Sequence, residues 1–297
     1  MKKLLKAAVA VSIALSCSPT YADKNDKDEI FSSSTFKAME LRNIGPAYMS
    51  GRIADIAIDQ NNPSTWYTAV GSGGVWKTTN AGTTWTPIFD DQPVYSIGDV
   101  TIAPSNSNII WVGTGENNGG RHISFGDGVY KSVDGGQTWK NMGLSKSEHV
   151  SDIIIHPTNP DIVWVSAQGP LWSGGGERGL YKTTDGGETW KQVLTPADKW
   201  TGVTSLLIDP RNPDKLYAAT WARQRSIGAY VGTNEGAGIH TSNDGGETWT
   251  ELKTGLPEGN MGKIGMAISP MNPDVIYATI ETDNRGGGFY RSADQGA

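Results

Sequence analysis

Three aspartates stand at one position of a recurring apolar run: Asp55 in IADIAI, Asp99 in IGDVTI and Asp152 in VSDIII. The two later copies of the run, VTSLLI and KIGMAI, carry Ser205 and Gly265 there. Converging carboxylates raise one another's pKa and can move protons, and they can also hold Ca²⁺. Equally, each can accept a hydrogen bond from a backbone N–H of a neighbouring strand. They are the catalytic candidates of the chain. Residue type alone assigns them no catalytic role; no metal set is identified, and Ca²⁺ is the one cofactor the trio would admit. A second group lies in longer glycine-rich segments: Glu116, Asn117, Arg121 and Asp127 in GENNGGRHISFGD, Trp172, Glu177 and Arg178 in QGPLWSGGGER, Trp221, Arg223 and Arg225 in WARQRSIGAYVGTNEG, and Glu281 and Arg285 in ETDNRGG. Aromatic plates beside arginines and carboxylates suit a polar ligand with apolar faces, a glycan or a peptide.

The elements that must carry these residues follow from an eight-residue phrase. It reads TTNAGTTW at 78–85, SVDGGQTW at 132–139, TTDGGETW at 183–190 and SNDGGETW at 242–249, and a fifth copy, SADQGA, starts at Ser292. Its closing residues Trp85, Trp139, Trp190 and Trp249 are 54, 51 and 59 residues apart, a period that signals a propeller, solenoid or array. Residues before and after each phrase alternate apolar and polar, as in two strands. Within the phrase an acceptor side chain (Asn80, Asp134, Asp185, Asp244, Asp294) can bond backbone N–H groups ahead of it. The glycines supply the positive φ of a tight turn, and the tryptophan buries a large apolar area at the root of the hairpin. The phrase is therefore a scaffold device.

Each repeat divides into four strands. An inner strand ends in a turn such as DQNNP or DPRNP, in which Asn62, Asn106, Asn159, Asn212 and Asn272 recur; His156 is a turn residue in that series. A second strand, a variable loop, a third strand, the eight-residue phrase and a short outer strand follow. The fold class is all-β, a propeller of four-stranded blades near residues 50–92, 94–145, 147–197, 200–257 and 261–297. Because strand direction alternates, the short turns and the phrases share one face, and the variable loops share the other. Function concentrates on loops held by a rigid scaffold, so the variable face is expected to bind.

The phrase S/T-x-D-x-G-x-T-W resembles the Asp-box, or BNR repeat, of sialidases, two-propeller xyloglucanases and sortilin-type receptors. Over residues 41–297, the strings LRNIGPAYMSGRIADIAI, GGVWKTTNAGTTW, GTGENN and GLYKTTDGGETW resemble large secreted bacterial proteins with a sortilin-type N-terminal propeller. The sortilin likeness implies a binding or scaffolding module for a glycan or peptide; a purely structural or assembly role is the third class. The xyloglucanase likeness implies the alternative, a glycoside hydrolase whose remaining catalytic residues lie beyond residue 297. Two departures weigh against it. The arginine motif of sialidases has no match in LRNIGP or SGRIAD. The xyloglucanase motif Y-A-R-T-D-x-G-G, aligned with YTAVGSGG, places its catalytic aspartate at Gly71.

Composition narrows the partners. Residues 1–22 read as a signal peptide, with Lys2, Lys3 and Lys6 before an apolar stretch and Thr20-Tyr21-Ala22 at the cleavage site. This points to a secreted or periplasmic protein with no membrane span after cleavage; anchoring through Cys17, the single cysteine, is the less favoured route. Residues 23–48 form a polar leader and a possible closing strand, and 49–297 the N-terminal part of a propeller that a longer chain would close. A net charge of −6 without a basic block excludes a nucleic-acid footprint.

Overall fold

The computed structural model describes residues 52–297. The signal peptide with Cys17 and the leader at 23–48 lie outside the described residues. The described chain is all-β and contains no α-helix, so no helix there is long and apolar enough to cross a membrane. Among the described residues five antiparallel blade sheets follow one another, each with its strands in chain order, and a sixth, two-stranded sheet of Gln224–Arg225 with Tyr230–Val231 lies within the blade 4 loop. Blade 1 comprises Ile53–Ile58, Trp66–Val70, Gly74–Thr78 and Thr86–Pro87; blade 2, Ile97–Ala103, Asn106–Thr114, Val129–Ser132 and Lys140–Asn141. Blade 3 comprises Val150–Ile155, Val163–Ala167, Gly179–Thr183 and Lys191–Leu194; blade 4, Thr201–Asp209, Asn212–Ala222, Gly238–Ser242 and Thr250–Leu252. Blade 5 shows three strands, Met261–Ile268, Ile276–Thr282 and Gly288–Ser292. The inner strands of successive blades contact one another, which is the arrangement of a β-propeller around a central channel.

The core lies between blades. Tyr67, Val75, Phe89, Ile97, Ile110 and Tyr130 join blades 1 and 2; Trp111, Val129, Ile153 and Val165 join blades 2 and 3; Trp164, Leu180, Leu206 and Leu216 join blades 3 and 4. Ala219, Ile239, Ile264 and Ile280 join blades 4 and 5. A second strand such as VWVSA is covered on both sides and is buried at every residue, which is why these runs are uniformly apolar instead of alternating.

The repeated phrase closes as the residue types require. Asp134 Oδ1 accepts Gln137 N and Thr138 N, both at 2.9 Å, and its Oδ2 accepts the Thr138 hydroxyl at 2.6 Å. Gly135 and Gly136 take φ of 73° and 88°. The two threonine bonds recur at Asp185 and Asp244; at Asn80 the Oδ1 accepts Thr84 N, and the amide nitrogen instead donates to Thr84 Oγ1. This surplus of donors holds the carboxylates low, Asp134 at about 2 and Asp185 and Asp244 also below the usual range. They are spent on structure. Each hairpin also docks on its neighbours: Trp139 Nε1 donates to Ile88 O and Trp190 Nε1 to Met142 O of the preceding blade, both at 2.7 Å. Lys77 and Lys131 reach forward to Gly135 O and Gly186 O. Trp85 departs from the expected burial. It is 37% exposed, edges Trp66 and donates Nε1 to Gly82 O of its own hairpin at 3.1 Å.

Candidate functional site

The inner strands carry a β-bulge at one place. In blades 1 to 4 the register skips Ala54, Gly98, Ser151 and Thr204, the residue before Asp55, Asp99, Asp152 and Ser205. Each skipped residue is small, as a bulge packed against the next blade demands; a Cβ on Gly98 would sit 2.0 Å from Val150 O. The bulge turns the three carboxyls along the ring. Asp55 Oδ2 accepts Val100 N at 3.4 Å, Asp99 Oδ2 accepts Ile153 N at 3.1 Å, and Asp152 Oδ2 accepts Leu206 N at 2.9 Å. Each aspartate thus bonds the residue after its counterpart in the next blade, so the trio links four blades.

Among the described residues no ion pair includes these carboxyls. Burial, then the charges of Asp152 and Asp55, push Asp99 well above the usual carboxylate range. Burial lifts Asp152 to about 7, and Asp55 is raised for the same reason. A carboxyl lifted to about 7, as at Asp152, can hold and donate a proton near neutral pH. Among the described residues no group of three His, Cys, Asp or Glu side chains is placed to hold a metal ion. The trio is shared by two cavities of the channel: one of about 550 Å³ on the short-turn side, and one of about 430 Å³ that opens among the loops.

The loop-side cavity is walled by Arg52, Glu116, Asn117, Asn118, Thr204 and Lys263. Arg52 grips Glu116 through two short hydrogen bonds and meets His122 Nε2 at 2.5 Å. The Glu116 carboxylate fills the space beside Gly71, where an added Cβ would lie 2.8 Å from its carboxyl carbon. The Glu116 segment then runs on as a strap across the mouth. Glu116 O meets His149 Nδ1 of blade 3 at 3.0 Å. Asn117 Nδ2 donates to Thr204 O of blade 4 at 3.5 Å, and Asn117 O accepts Lys263 Nζ of blade 5 at 2.9 Å. Arg223 Nη1 donates to Asn118 O, Arg225 Nε to Gly119 O at 2.7 Å, and Arg121 Nη2 to Ile227 O at 3.4 Å.

The structure therefore brings Glu116, Asn117, Arg121, Trp221, Arg223 and Arg225 into one assembly, but not as a row of ligand contacts. Trp221 is buried, its Nε1 bonded to Gly232 O and its ring under Arg223 and Lys263. Arg178, expected beside a ligand, is buried on the carbonyls of Gln168, Pro170, Ser173, Gly175 and Trp200. Arg223 is buried beneath the strap. These three differ from the expectation because the loops fold inward and use long polar side chains to satisfy their own backbone. Asp127 accepts Tyr130 Oη at 2.8 Å and Glu177 accepts Lys146 N at 2.8 Å, each steadying its own loop. Trp172 is exposed. Glu281 lines a separate cleft with Lys263, and Arg285, exposed at φ 61°, lies outside the mouth. Sequence reasoning passed over Arg52, His149 and Lys263 as members of the mouth. It also passed over Tyr95 and Phe125, which stand exposed near Ser124. The signal available for Arg52 was its place two residues before an inner strand's bulge.

The family model described as "Sortilin, neurotensin receptor 3" matches residues 127–253. A xyloglucanase of Paenibacillus sp is 25% identical over 188 residues, covering 62% of this chain and 17% of that protein. A xyloglucanase of Hypocrea jecorina is 25% identical over 236 residues, covering 78% of this chain and 24% of the other. Among solved structures, an ancestral GH74 enzyme superposes with a TM-score of 0.62 at 23% identity, over 84% of this chain and 30% of that one. The GH74 enzyme of Niastella koreensis gives 0.58 at 24% identity, over 84% and 37%. The chain spans less than a third of the length of the curated relatives it matches. These likenesses establish a β-propeller resembling those of sortilin-type proteins and xyloglucanases.

Proposed function

We propose that this propeller is an extracytoplasmic glycan-binding module that lays a polysaccharide across its loop face, with the polar channel mouth as the anchor. The observation that carries this reading is the placement of aromatic side chains. Tyr95, Phe125 and Trp172 are each at least 50% exposed and lie in loops outside the strands, while Tyr230, 42% exposed on the short strand Tyr230–Val231, has its ring covered by Arg225. Exposed aromatic plates stack on the apolar faces of sugar rings, and the Arg52–Glu116 pair with the amides of Asn117 and Asn118 offers hydroxyl partners between them. The xyloglucanase relatives support a β-glucan as the ligand class. The test is binding of the full-length mature protein to a panel of soluble polysaccharides. Trp172→Ala and Tyr95→Ala weaken binding by about tenfold each if the plates stack on sugars; undiminished binding in both would remove the reading.

A second reading, hydrolysis of the bound glycan, is favoured by one observation: Asp99 and Asp152 line the same cavity, Asp152 with its carboxyl lifted to about 7 and Asp99 with its carboxyl raised well above the usual range by burial. A proton donor of this kind is half of what glycoside cleavage requires. The xyloglucanase-like base position is Gly71, and Glu116 occupies the space beside it. Reducing-end release by the full-length protein that Asp152→Asn abolishes without loss of binding would establish this activity.

A further inference from the structure

Lys263 stands on the inner strand of blade 5, Met261–Ile268, where two cavities meet. One is the channel mouth, about 430 Å³; the other is the cleft of about 400 Å³ that it shares with Thr279 and Glu281. Its Nζ donates to Asn117 O at 2.9 Å and lies 5.3 Å from the centroid of the Trp221 ring. Among the described residues no ion pair includes Lys263, whereas Lys140, Lys182, Lys191 and Lys253 each pair with a glutamate. Burial first, and then the charge of Arg223, lower its ammonium to about 8, against the pull of Glu116. A lysine held in this way beside open space is a nucleophile at mildly alkaline pH.

The channel mouth selects what reaches the amine. Apart from Ile53, Ala54 and Gly98 its walls are polar, and its volume is that of a small-molecule site. Hydroxyl groups of a ligand find carboxyl, amide and hydroxyl partners there at Asp99, Asn118 and Ser205. Asp99 and Asp152, both with raised carboxyls, line the same cavity and can carry protons to and from a ligand.

We propose that Lys263 is a carbonyl-capture site, forming an imine with a short polyhydroxy aldehyde that enters the channel mouth. The neutral amine attacks the carbonyl carbon, and the carbonyl oxygen takes up a proton to give a carbinolamine. The C–O bond then breaks. The oxygen leaves as water with the two hydrogens that the nitrogen gives up, and a C=N bond remains. Nothing is oxidised or reduced, and no co-reactant is needed. The site is independent of any glycan stacked on the aromatic plates of the loop face.

The test exposes the full-length mature protein to glyceraldehyde at about pH 8 with cyanoborohydride, which reduces an imine to a stable secondary amine. Peptide mass spectrometry then maps the labelled lysines. At that pH about half of Lys263 is neutral, against less than about one part in a hundred of an ordinary lysine. Lys263 is therefore labelled at least about tenfold faster than the exposed Lys140 and Lys253. With propanal, which has the same chain length and no hydroxyls, the ratio of Lys263 to Lys140 labelling falls severalfold. Lys263→Arg, which keeps a donor for Asn117 O, removes the fast adduct; the wild-type labelling pattern stands whether or not that variant folds. Labelling of Lys263 no faster than that of Lys140, or a ratio that is as high with propanal as with glyceraldehyde, would overturn the proposal.

Discussion

Replacing Asp152 with Asn separates the two properties of the aspartate chain, hydrogen bonding and charge. Asn keeps an oxygen that can accept Leu206 N, which Asp152 now holds at 2.9 Å, and it cannot ionise. In the folded protein the Asp152 carboxyl moves from 3.8 to about 7. A raised pKa means the folded state keeps this proton where the unfolded chain has lost it. The associated stability is complete below about pH 4, declines as the pH rises, and is lost above about pH 7. A displacement of about three pH units corresponds to on the order of 4 kcal/mol, or on the order of 10 °C in the unfolding midpoint of a domain of this size. The push of Asp152 on Asp99 disappears as well and adds in the same direction. His149 and His240, lowered by burial, oppose folding as the pH falls below 6.5, but they titrate alike in both proteins and cancel in the difference. The assay is the unfolding midpoint of wild type and Asp152→Asn from pH 4 to 9. The difference is near zero at pH 4 and grows in favour of the variant through pH 7. A flat difference, or one that favours wild type at high pH, would refute the reasoning.

Four other substitutions probe the scaffold and the mouth. Gly98→Ala puts a Cβ 2.0 Å from Val150 O and 2.6 Å from Gly115 O, so it destabilises by more than about 3 kcal/mol in denaturant unfolding. Gly228→Ala meets nothing within 4 Å and changes stability by less than about 0.5 kcal/mol. Gly71→Asp forces a carboxyl against Glu116 and loosens its grip on Arg52; the melting temperature falls, and adding Glu116→Ala restores part of the loss. Asp134→Ala removes the acceptor of Gln137 N, Thr138 N and the Thr138 hydroxyl, lowering the melting temperature while glycan affinity stays unchanged.

Local chemistry made the scaffold legible. Asp followed by two glycines, threonine and tryptophan has few alternatives to a self-bonded hairpin, and its spacing marks the blades. The equivalence of Asp55, Asp99 and Asp152 was visible because the apolar runs around them align. Their interblade bonds were foreseeable as one use of a carboxylate. The small residues before them, Ala54, Gly98, Ser151 and Thr204, were a readable sign of the bulge that aims them. The mouth was less legible. QGPLWSGGGER displays an arginine beside a tryptophan, but nothing in residue type says that Arg178 turns back onto carbonyls contributed by residues 168 to 175 and by Trp200. Likewise, the strap depends on Arg52, His149, Arg223 and Lys263, which come from four different blades and converge only in the fold.

The most direct test of the central claim, a glycan held across the loop face, is isothermal titration of the full-length mature protein with soluble xyloglucan and other β-glucans. Saturable binding is expected, and the combined Trp172→Ala and Tyr95→Ala variant loses it with an unchanged melting temperature. Absence of binding to every polysaccharide of the panel, or binding that survives loss of both aromatic plates, would contradict the account.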